Sequence, residues 1–110
     1  MIQRGEIVIT AAGGDYGKPR PAVVIQGDHV NQAQPNSYIL ALITSTVREA
    51  PLLRLTLPPT GHNGLNTPSQ IMVDKLVTVR RDKIQKSIGY LSEQETIELN
   101  RLLALVMGLV

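Results

Sequence analysis

The pattern of apolar and polar residues divides this 110-residue chain into a strand-rich part and one terminal helix. Short runs rich in Val, Ile and Leu recur between segments rich in Gly, Pro, Asn and Ser, as strands joined by turns do. This pattern predicts five strands, at residues 6–10, 22–26, 38–45, 52–57 and 70–79.

The fourth and fifth predicted strands differ in their alternation. Within residues 52–57 the alternation places Leu53, Leu55 and Leu57 on one face and Arg54 and Thr56 on the other. Residues 70–79 are long for one strand, and their alternation shifts near Lys75. We therefore expect a bulge or bend at Lys75.

A helix is predicted for the end of the chain. Ser92 and Glu95 form the S-x-x-E pattern of a capping box, so the helix is expected over residues 93–107 with Gly108 ending it. Residues 102–107 are apolar on all sides, which predicts burial against the sheet on one side and against a second subunit on the other. The residues expected at this homodimer interface are Leu102, Leu105 and Val106.

The predicted fold class is a small, mostly antiparallel β barrel or strongly curved sheet with one C-terminal helix. The composition, 43% hydrophobic and 18% charged, is that of an ordinary globular protein. Its length fits one domain, which we expect to span residues 1–110.

Composition also limits the compartment and the chemistry. The chain has no cysteine, which excludes disulfides and thiolate metal sites and agrees with a reducing compartment such as the cytoplasm. We expect neither a secretory signal at the N-terminus nor a membrane span, because the longest apolar stretch, residues 102–110, is about half the length required. The net charge of +2 and pI of about 9.2 permit a polyanionic partner.

The most specific local feature is an arginine between two prolines, Pro19-Arg20-Pro21, just before the second predicted strand. Proline fixes its own φ and keeps the preceding residue extended, so the backbone around Arg20 is stiffened. A guanidinium held in this way loses little entropy when it binds phosphate oxygens, for which its planar fork is well matched.

Five segments together resemble the MazF/PemK family of toxin–antitoxin toxins. They occur in family order from about Gln3 to Leu105: RGEIV at 4–8, GKPRPAVVIQGD at 17–28, ALITS at 41–45, GLNTPSQIMVDKLVTV at 64–79 and IGYLSEQE at 88–95. The resemblance implies an SH3-like barrel, a homodimer, and a metal-independent, sequence-selective endoribonuclease that cleaves single-stranded RNA. It also implies an antitoxin that holds the activity in check, and no cofactor.

The resemblance assigns the catalytic roles. Arg20 matches the arginine of the family R-P motif, and Thr44 matches the threonine of its T-[SG] motif. Three further residues are candidates. Ser45 would contact the phosphate, and Asp74 matches the acidic residue of the fourth motif. Asp15 would orient Arg20 or accept a proton, with an Asx turn as its structural alternative. For Thr44 and Ser45 the alternative to a catalytic role is that each hydroxyl only forms a hydrogen bond with the backbone of the turn after the strand.

RNA contacts are expected from the loop before Arg20 and from the basic run at 80–86, which is otherwise interpreted as a solvated turn. The residues proposed for RNA binding are Tyr16, Lys18, Arg80 and Arg81. Tyr16 is the best candidate to stack on a base, since the chain contains only three aromatic side chains, all tyrosines.

The sequence also departs from the family pattern. Gly14 and Met72 stand where some members carry a histidine and an arginine, and both His29 and His62 are expected to be solvated loop residues. The general base therefore has no assigned residue, because arginine keeps its proton at neutral pH. No spacing of His, Asp and Glu typical of a metal site is present.

Two other functions remain open at this stage. One is a toxin of the same barrel that acts by binding a protein, as the gyrase-poison relatives do; those use a tryptophan at the helix end, which this chain lacks. The other is a homologue that has lost catalysis and survives as a binding module. The expected antitoxin has an acidic, partly disordered inhibitory segment that imitates a polyanion.

Overall fold

The computed structural model describes residues 1–11 and 18–110, and these residues form an antiparallel sheet with a C-terminal helix. The strands are β1 Glu6–Thr10, β2 Arg20–Val24, β3 Ser37–Thr44, β4 Arg54–Leu57, β5 Ser69–Arg80 and β6 Ile84–Tyr90. The helices are α1 Asp28–Asn31 and α2 Glu93–Val106, with one 3₁₀ turn at Arg81–Lys83.

The spatial order of the strands is β4-β5-β3-β2-β1-β6, and each pair of neighbouring strands is antiparallel. The predicted fold class, a barrel-like antiparallel sheet with a C-terminal helix, is confirmed. In the described part of the chain β4 and β6 pair with no strand on their outer sides, so the ladders do not close into a full barrel. The described helices include none with the length and apolar character needed to cross a membrane.

The predicted irregularity near Lys75 is present. Opposite β5, Ala41 pairs with Leu76 and Ile43 pairs with Ile71. One residue of β3 therefore faces the four residues 72–75 of β5, which must leave the regular ladder there. This bend lets a twelve-residue strand serve two partners, β3 along most of its length and β4 at its beginning.

One strand was missed by the sequence pattern. Residues 84–90 form β6, where the basic run had been interpreted as a solvated turn. Only Ile84 is buried in this strand, so it has no continuous apolar face. Backbone pairing with β1 along an edge of the sheet supplies most of its order. The pattern also missed the short helix α1 within the polar segment 27–37.

Both faces of the central strands are buried, since neighbouring residues point to opposite sides and belong to different apolar clusters. The cluster that packs against α2 comprises Ile7, Val23, Ala41, Ile43, Leu57, Ile71, Val73, Leu91, Leu99 and Leu102. The cluster on the other face comprises Ile2, Val8, Ala22, Val24, Tyr38, Leu40, Val79 and Ile84.

Helix α2 begins at the predicted capping box. The Ser92 hydroxyl accepts from the Glu95 backbone N–H at 3.1 Å, and a Glu95 carboxylate oxygen accepts from the Ser92 N–H at 2.8 Å. Gly108 follows the helix with φ of +73°, the left-handed conformation that glycine adopts most readily.

The burial of α2 corrects one interface prediction. Leu102 is 1% exposed within the protomer because it packs in the core beside Leu99, so it cannot offer surface to a second copy. Leu105 is 41% exposed, and Val106 is half-buried against the core. The helix is therefore not buried on all sides by its own sheet, and its outward apolar face begins at Leu105.

Candidate active site

The first residue of β2 is Arg20, which stands in register with Thr10 of β1. The strand begins two residues earlier than the apolar run indicated, so Arg20 is part of the sheet rather than of the loop before it. Its side chain is exposed, and the flanking Pro19 and Pro21 restrict the backbone on both sides. The backbone that carries the Arg20 side chain is therefore restricted.

Arg20 contributes to a cleft of about 230 Å³ at this end of the sheet. One side of the cleft consists of strand residues and the other of the loop that connects β4 to β5. The lining residues are Ile9, Arg20, Pro21, Ile43, Ser45, Gly64, Leu65, Asn66, Thr67, Ser69 and Ile88. A cleft with an apolar floor and an arginine, hydroxyls and an amide among its lining residues can hold a base and orient its phosphate.

Buried Asn63 shapes the loop that forms the second wall. Its side-chain oxygen accepts from the backbone N–H groups of Thr60 and Leu65, each at 3.0 Å. Its amide nitrogen donates to the Pro58 carbonyl at 2.8 Å. Because one fully buried side chain satisfies three backbone groups, the loop is held as a compact unit rather than as a free connection.

Two glycines let this loop lie directly on β6. A Cβ on Gly64 would stand 2.2 Å from the Ile88 carbonyl oxygen, and one on Gly89 would stand 2.3 Å from the His62 carbonyl oxygen. Gly64 also has φ of +70°. Any larger residue at either position must move backbone, so these glycines set the distance between the loop and β6.

His62 links the same loop to the start of α2. Its Nδ1 lies 3.0 Å from the Thr60 hydroxyl and its Nε2 lies 3.4 Å from a Glu95 carboxylate oxygen. The ring also packs against Tyr90, with the centroids 5.7 Å apart. His62 is therefore not the solvated loop residue that the sequence indicated, and its contacts serve the structure of the loop.

The two candidate hydroxyls occupy different places. Ser45 lines the cleft with Arg20. The Thr44 hydroxyl accepts from the Thr46 backbone N–H at 3.1 Å, which is the turn interaction that the sequence left open. Ala22 of β2 pairs with Leu42 of β3, and continuing this register by two residues sets Thr44 opposite Arg20, on the same face of the sheet.

A row of polar residues continues across the sheet from this point. Thr44 pairs with Gln70 of β5, and Gln70 pairs with Thr56 of β4. The buried Gln70 oxygen accepts from the Arg48 N–H and from Arg54 Nη1, at 3.1 and 3.0 Å. Its nitrogen donates to the Arg48 carbonyl and to the Thr56 hydroxyl, at 3.0 and 3.1 Å. Gln70 thereby fastens the β3–β4 loop to the sheet.

The structure does not bring every candidate to the cleft. Asp74 is absent from the described lining and lies 3.3 Å from Lys75 Nζ. Arg80, at the opposite end of β5 from Ser69, pairs with Asp82, and Arg81 lines separate clefts beside the first residues of the chain. Lys18 is exposed two residues before Arg20. Asp15 and Tyr16 lie outside the described residues.

Within residues 1–11 and 18–110, no group of three or more His, Asp or Glu side chains is arranged to hold a metal ion. The two histidines are separated as well. His62 belongs to the β4–β5 loop and His29 to α1, and neither is among the residues that line the Arg20 cleft.

The model of PemK-like, MazF-like toxins of type II toxin–antitoxin systems matches residues 3–107. This chain belongs to that family. It is 37% identical over 109 residues to a probable endoribonuclease MazF of Mycolicibacterium smegmatis, with 98% of each chain covered. It is 27% identical to the endoribonuclease MazF of Staphylococcus epidermidis, which covers 99% of this chain and 93% of that protein.

Solved structures agree with this assignment at the level of the fold. An endoribonuclease in complex with its cognate antitoxin, from a mycobacterial species, superposes with a TM-score of 0.83 at 18% identity, covering 100% of this chain and 98% of that one. The Mycobacterium tuberculosis toxin MazF-mt6 superposes with a TM-score of 0.76 at 25% identity, covering 94% and 96%.

The sequence did not reveal which residues of this PemK/MazF-family toxin form the second wall of the cleft. Leu65, Asn66 and Thr67 belong to a segment that is a loop by composition, and only its docking on β6 brings it to Arg20. The sequence did contain one signal of this contact, the two glycines Gly64 and Gly89, because glycine allows two backbones to approach closely.

Proposed function

We propose that this chain is an endoribonuclease toxin that cleaves single-stranded RNA at short sequence motifs without a metal ion. The observation that supports it most is the exposed Arg20 at a cleft that also contains Ser45, in a chain that belongs to the PemK/MazF-like toxin family. The curated relatives are named endoribonucleases, which favours RNA cleavage over both a protein-binding toxin and a binding module that has lost catalysis.

In the proposed reaction the 2′-hydroxyl of one nucleotide attacks the adjacent phosphorus. The O2′–P bond forms while the P–O5′ bond breaks, which leaves a 2′,3′-cyclic phosphate and a 5′-hydroxyl end. A base takes the 2′-hydroxyl proton, and the leaving 5′-oxygen receives a proton. Arg20 stabilises the negative charge on the phosphoryl oxygens, and the Thr44 and Ser45 hydroxyls orient them.

The proton acceptor is not assigned to a residue. Arginine keeps its proton at neutral pH, so Arg20 is not expected to be the base. His62 is bound to Thr60 and Glu95, outside the described cleft lining. We retain Asp15 as a candidate, as the sequence proposed.

The experiment is a cleavage assay with purified protein, a long single-stranded RNA and EDTA, followed by analysis of the fragment ends. We expect cleavage in EDTA with cyclic-phosphate and 5′-hydroxyl ends. Loss of activity on chelation and its recovery with Mg²⁺ would contradict a metal-independent mechanism. Intact RNA under all conditions, with folded protein, would contradict RNA cleavage itself.

We also propose a cognate antitoxin with an acidic, partly disordered inhibitory segment that competes with RNA for the Arg20 cleft. Binding of a polyanion mimic should weaken as salt rises and when Arg20 is substituted. A competition titration with non-cleavable RNA at two salt concentrations tests this, and a stable ternary complex would contradict competition. Residues 1–110 are proposed to work as one domain, as a homodimer and in the cytoplasm.

A further inference from the structure

A second cleft, distinct from the Arg20 cleft, lies between the β3–β4 loop, the sheet and α2. It has a volume of about 290 Å³. Three arginines contribute to its lining, Arg48 from the loop, Arg54 from β4 and Arg101 from α2. We refer to it as the arginine cleft.

The arginine cleft has a fixed framework. Gln70, which is 4% exposed, uses all four of its amide hydrogen-bonding positions to hold the backbone of Arg48, the guanidinium of Arg54 and the hydroxyl of Thr56. Arg54 Nη1 donates in addition to the Thr46 carbonyl at 3.1 Å, while the buried Arg54 Nε has no hydrogen-bond partner. Gln70 of the sheet therefore positions the guanidinium of Arg54 in the cleft, and it also holds the loop that carries Arg48.

The charges of the arginine cleft leave it a net cation. Glu98 pairs with Arg101, and that hydrogen bond lowers the pKa of Glu98, so the glutamate stays ionised and offsets Arg101. The two positive charges of Arg48 and Arg54 are then opposed by only one further negative charge in the lining, that of Glu49. Such a site attracts a single anionic group more readily than a neutral ligand.

The polar row described above runs between the two clefts, although its member Gln70 is buried and bonded to the β3–β4 loop, so the row marks their separation rather than an open surface. From Arg20 on β2 it crosses Thr44 and Gln70 and reaches Thr56 on β4, which lines the arginine cleft. Three strand spacings separate the ends of this row, about 14 Å. A few linked nucleotides can cover that distance, and each carries a phosphate.

We propose that the arginine cleft binds a backbone phosphate of the same RNA strand whose scissile phosphate lies at Arg20. This inference rests on the proposed function. A phosphate contact of this kind contributes affinity and register without reading bases, so its effect is the same for all RNA sequences. The short distance to the Arg20 cleft, which a single RNA strand can span, favours RNA over a separate acidic protein as the occupant.

The test measures the affinity of a 2′-O-methyl RNA, which lacks the attacking hydroxyl, by fluorescence anisotropy between 50 and 200 mM salt. Three single-residue variants are compared with the parent: Arg48→Gln, Glu49→Gln and Lys75→Gln. Arg48 holds Gln70 through its backbone, so Arg48→Gln keeps the loop anchored. Lys75, exposed on β5 and outside the described linings of both clefts, is the matched loss of one positive charge.

We expect Arg48→Gln to weaken binding by roughly two- to fivefold, the range for an exposed ionic contact. The slope of log affinity against log salt should fall in magnitude by about 0.7, the value for one phosphate of a single strand. Glu49→Gln should tighten binding by a similar factor, and Lys75→Gln should change neither quantity. Opposite effects of neighbouring substitutions cannot arise from general damage to the loop.

Shifts in the same direction for Arg48→Gln and Glu49→Gln, or an unchanged salt slope, overturn the proposal even if the parent cleaves RNA. A change in oligomeric state for Arg48→Gln by light scattering also overturns it, since the cleft would then face a second copy. Failure of the parent to cleave RNA in EDTA is a separate result that contradicts the proposed function. The binding measurement is independent of that outcome.

Discussion

Arg20 is exposed but constrained. Its position at the first residue of β2, between Pro19 and Pro21, restricts the backbone, and the residue contributes to the cleft that includes Ser45. A lysine at this position keeps the charge but replaces a planar fork with a single ammonium. The difference between those two cations is therefore the most direct measure of what Arg20 contributes.

We predict that Arg20→Lys lowers the RNA cleavage rate by roughly tenfold or more, and that Arg20→Ala lowers it further. The reason is the loss of paired hydrogen bonds to the phosphoryl oxygens in the transition state. Single-turnover cleavage assays measure the rate, and Lys75→Gln controls for loss of surface charge. An Arg20→Ala protein as active as the parent would place the site elsewhere.

Asp28 is expected to make the stability of the fold depend on pH. Its carboxylate accepts from the Arg4 backbone N–H at 2.7 Å and from the Asn31 side-chain amide at 3.1 Å. The bond from Arg4, followed by that from Asn31, holds the pKa of Asp28 below its ordinary value. A carboxyl whose pKa is lowered by folding stabilises the fold above its unfolded pKa of about 3.9, and this stabilisation is lost as pH falls through the folded pKa.

We therefore predict that Asp28→Asn lowers the Tm at pH 7 and that the difference from the parent shrinks once the pH falls below about 4. The variant keeps a neutral acceptor, so the comparison isolates the charge. Thermal unfolding across a pH series measures it, with Asp82→Asn, an exposed pair with Arg80, as the control expected to have little effect. A constant Tm difference from pH 3 to pH 7 would contradict the prediction.

At the scale of elements, the β4–β5 loop matters as much as the strands. It consists of residues 58–68 and forms the second wall of the cleft through Leu65, Asn66 and Thr67. Asn63 holds it from within, and its backbone packs on β6 at Gly64 and Gly89. The wall therefore depends on a strand that is distant in the sequence.

We predict that Gly89→Ala destabilises the fold by about 1–3 kcal/mol, because its Cβ would overlap the backbone of residues 62 and 63. The displaced wall should also raise the KM for RNA. Gly61→Ala is the matched control, since a Cβ there meets no atom within 4 Å. Chemical denaturation and steady-state cleavage measure the two effects, and equal behaviour of the two variants would show that the loop does not depend on this contact.

At the scale of the whole molecule, the outer face of α2 offers apolar surface. Ile97, Leu105 and Met107 are 54%, 41% and 58% exposed. These side chains are spread over the outward half of α2 and its C-cap. Leaving several large apolar side chains in water in this way is typical of a surface that meets a partner. We expect that partner to be a second copy of the chain, as the sequence proposed, with Leu105 rather than Leu102 at the contact.

We predict that the parent is a dimer at micromolar concentration and that Leu105→Glu weakens dimerisation by roughly tenfold or more, because a carboxylate would be buried in an apolar contact. Light scattering measures the mass, and far-UV circular dichroism checks the fold. Gln94→Glu, in the first turn of α2, adds the same charge away from Leu105 and should leave the dimer intact. A monomeric parent would contradict the interface.

Local pattern by itself determined much of this protein. The strands around 6–10 and 38–45, the bend near Lys75 and the capping box at Ser92 follow from periodicity and short-range hydrogen bonding, and the structure confirms them. The stiffened backbone around Arg20 could also be predicted from the sequence, because a proline restricts its own φ and the conformation of the residue before it.

Only the tertiary structure decided what depends on residues far apart in the chain. β6 has no apolar periodicity of its own and is ordered by its pairing with β1. Leu102 resembles Leu105 in sequence, yet one is buried and the other exposed, since the helix turns only one side to the sheet. The wall at Asn66 and the arginine cleft form where a loop packs against a strand or helix that is distant in the sequence. The first contact depends on close backbone packing at Gly89, and the second on the hydrogen bonds of the Gln70 amide.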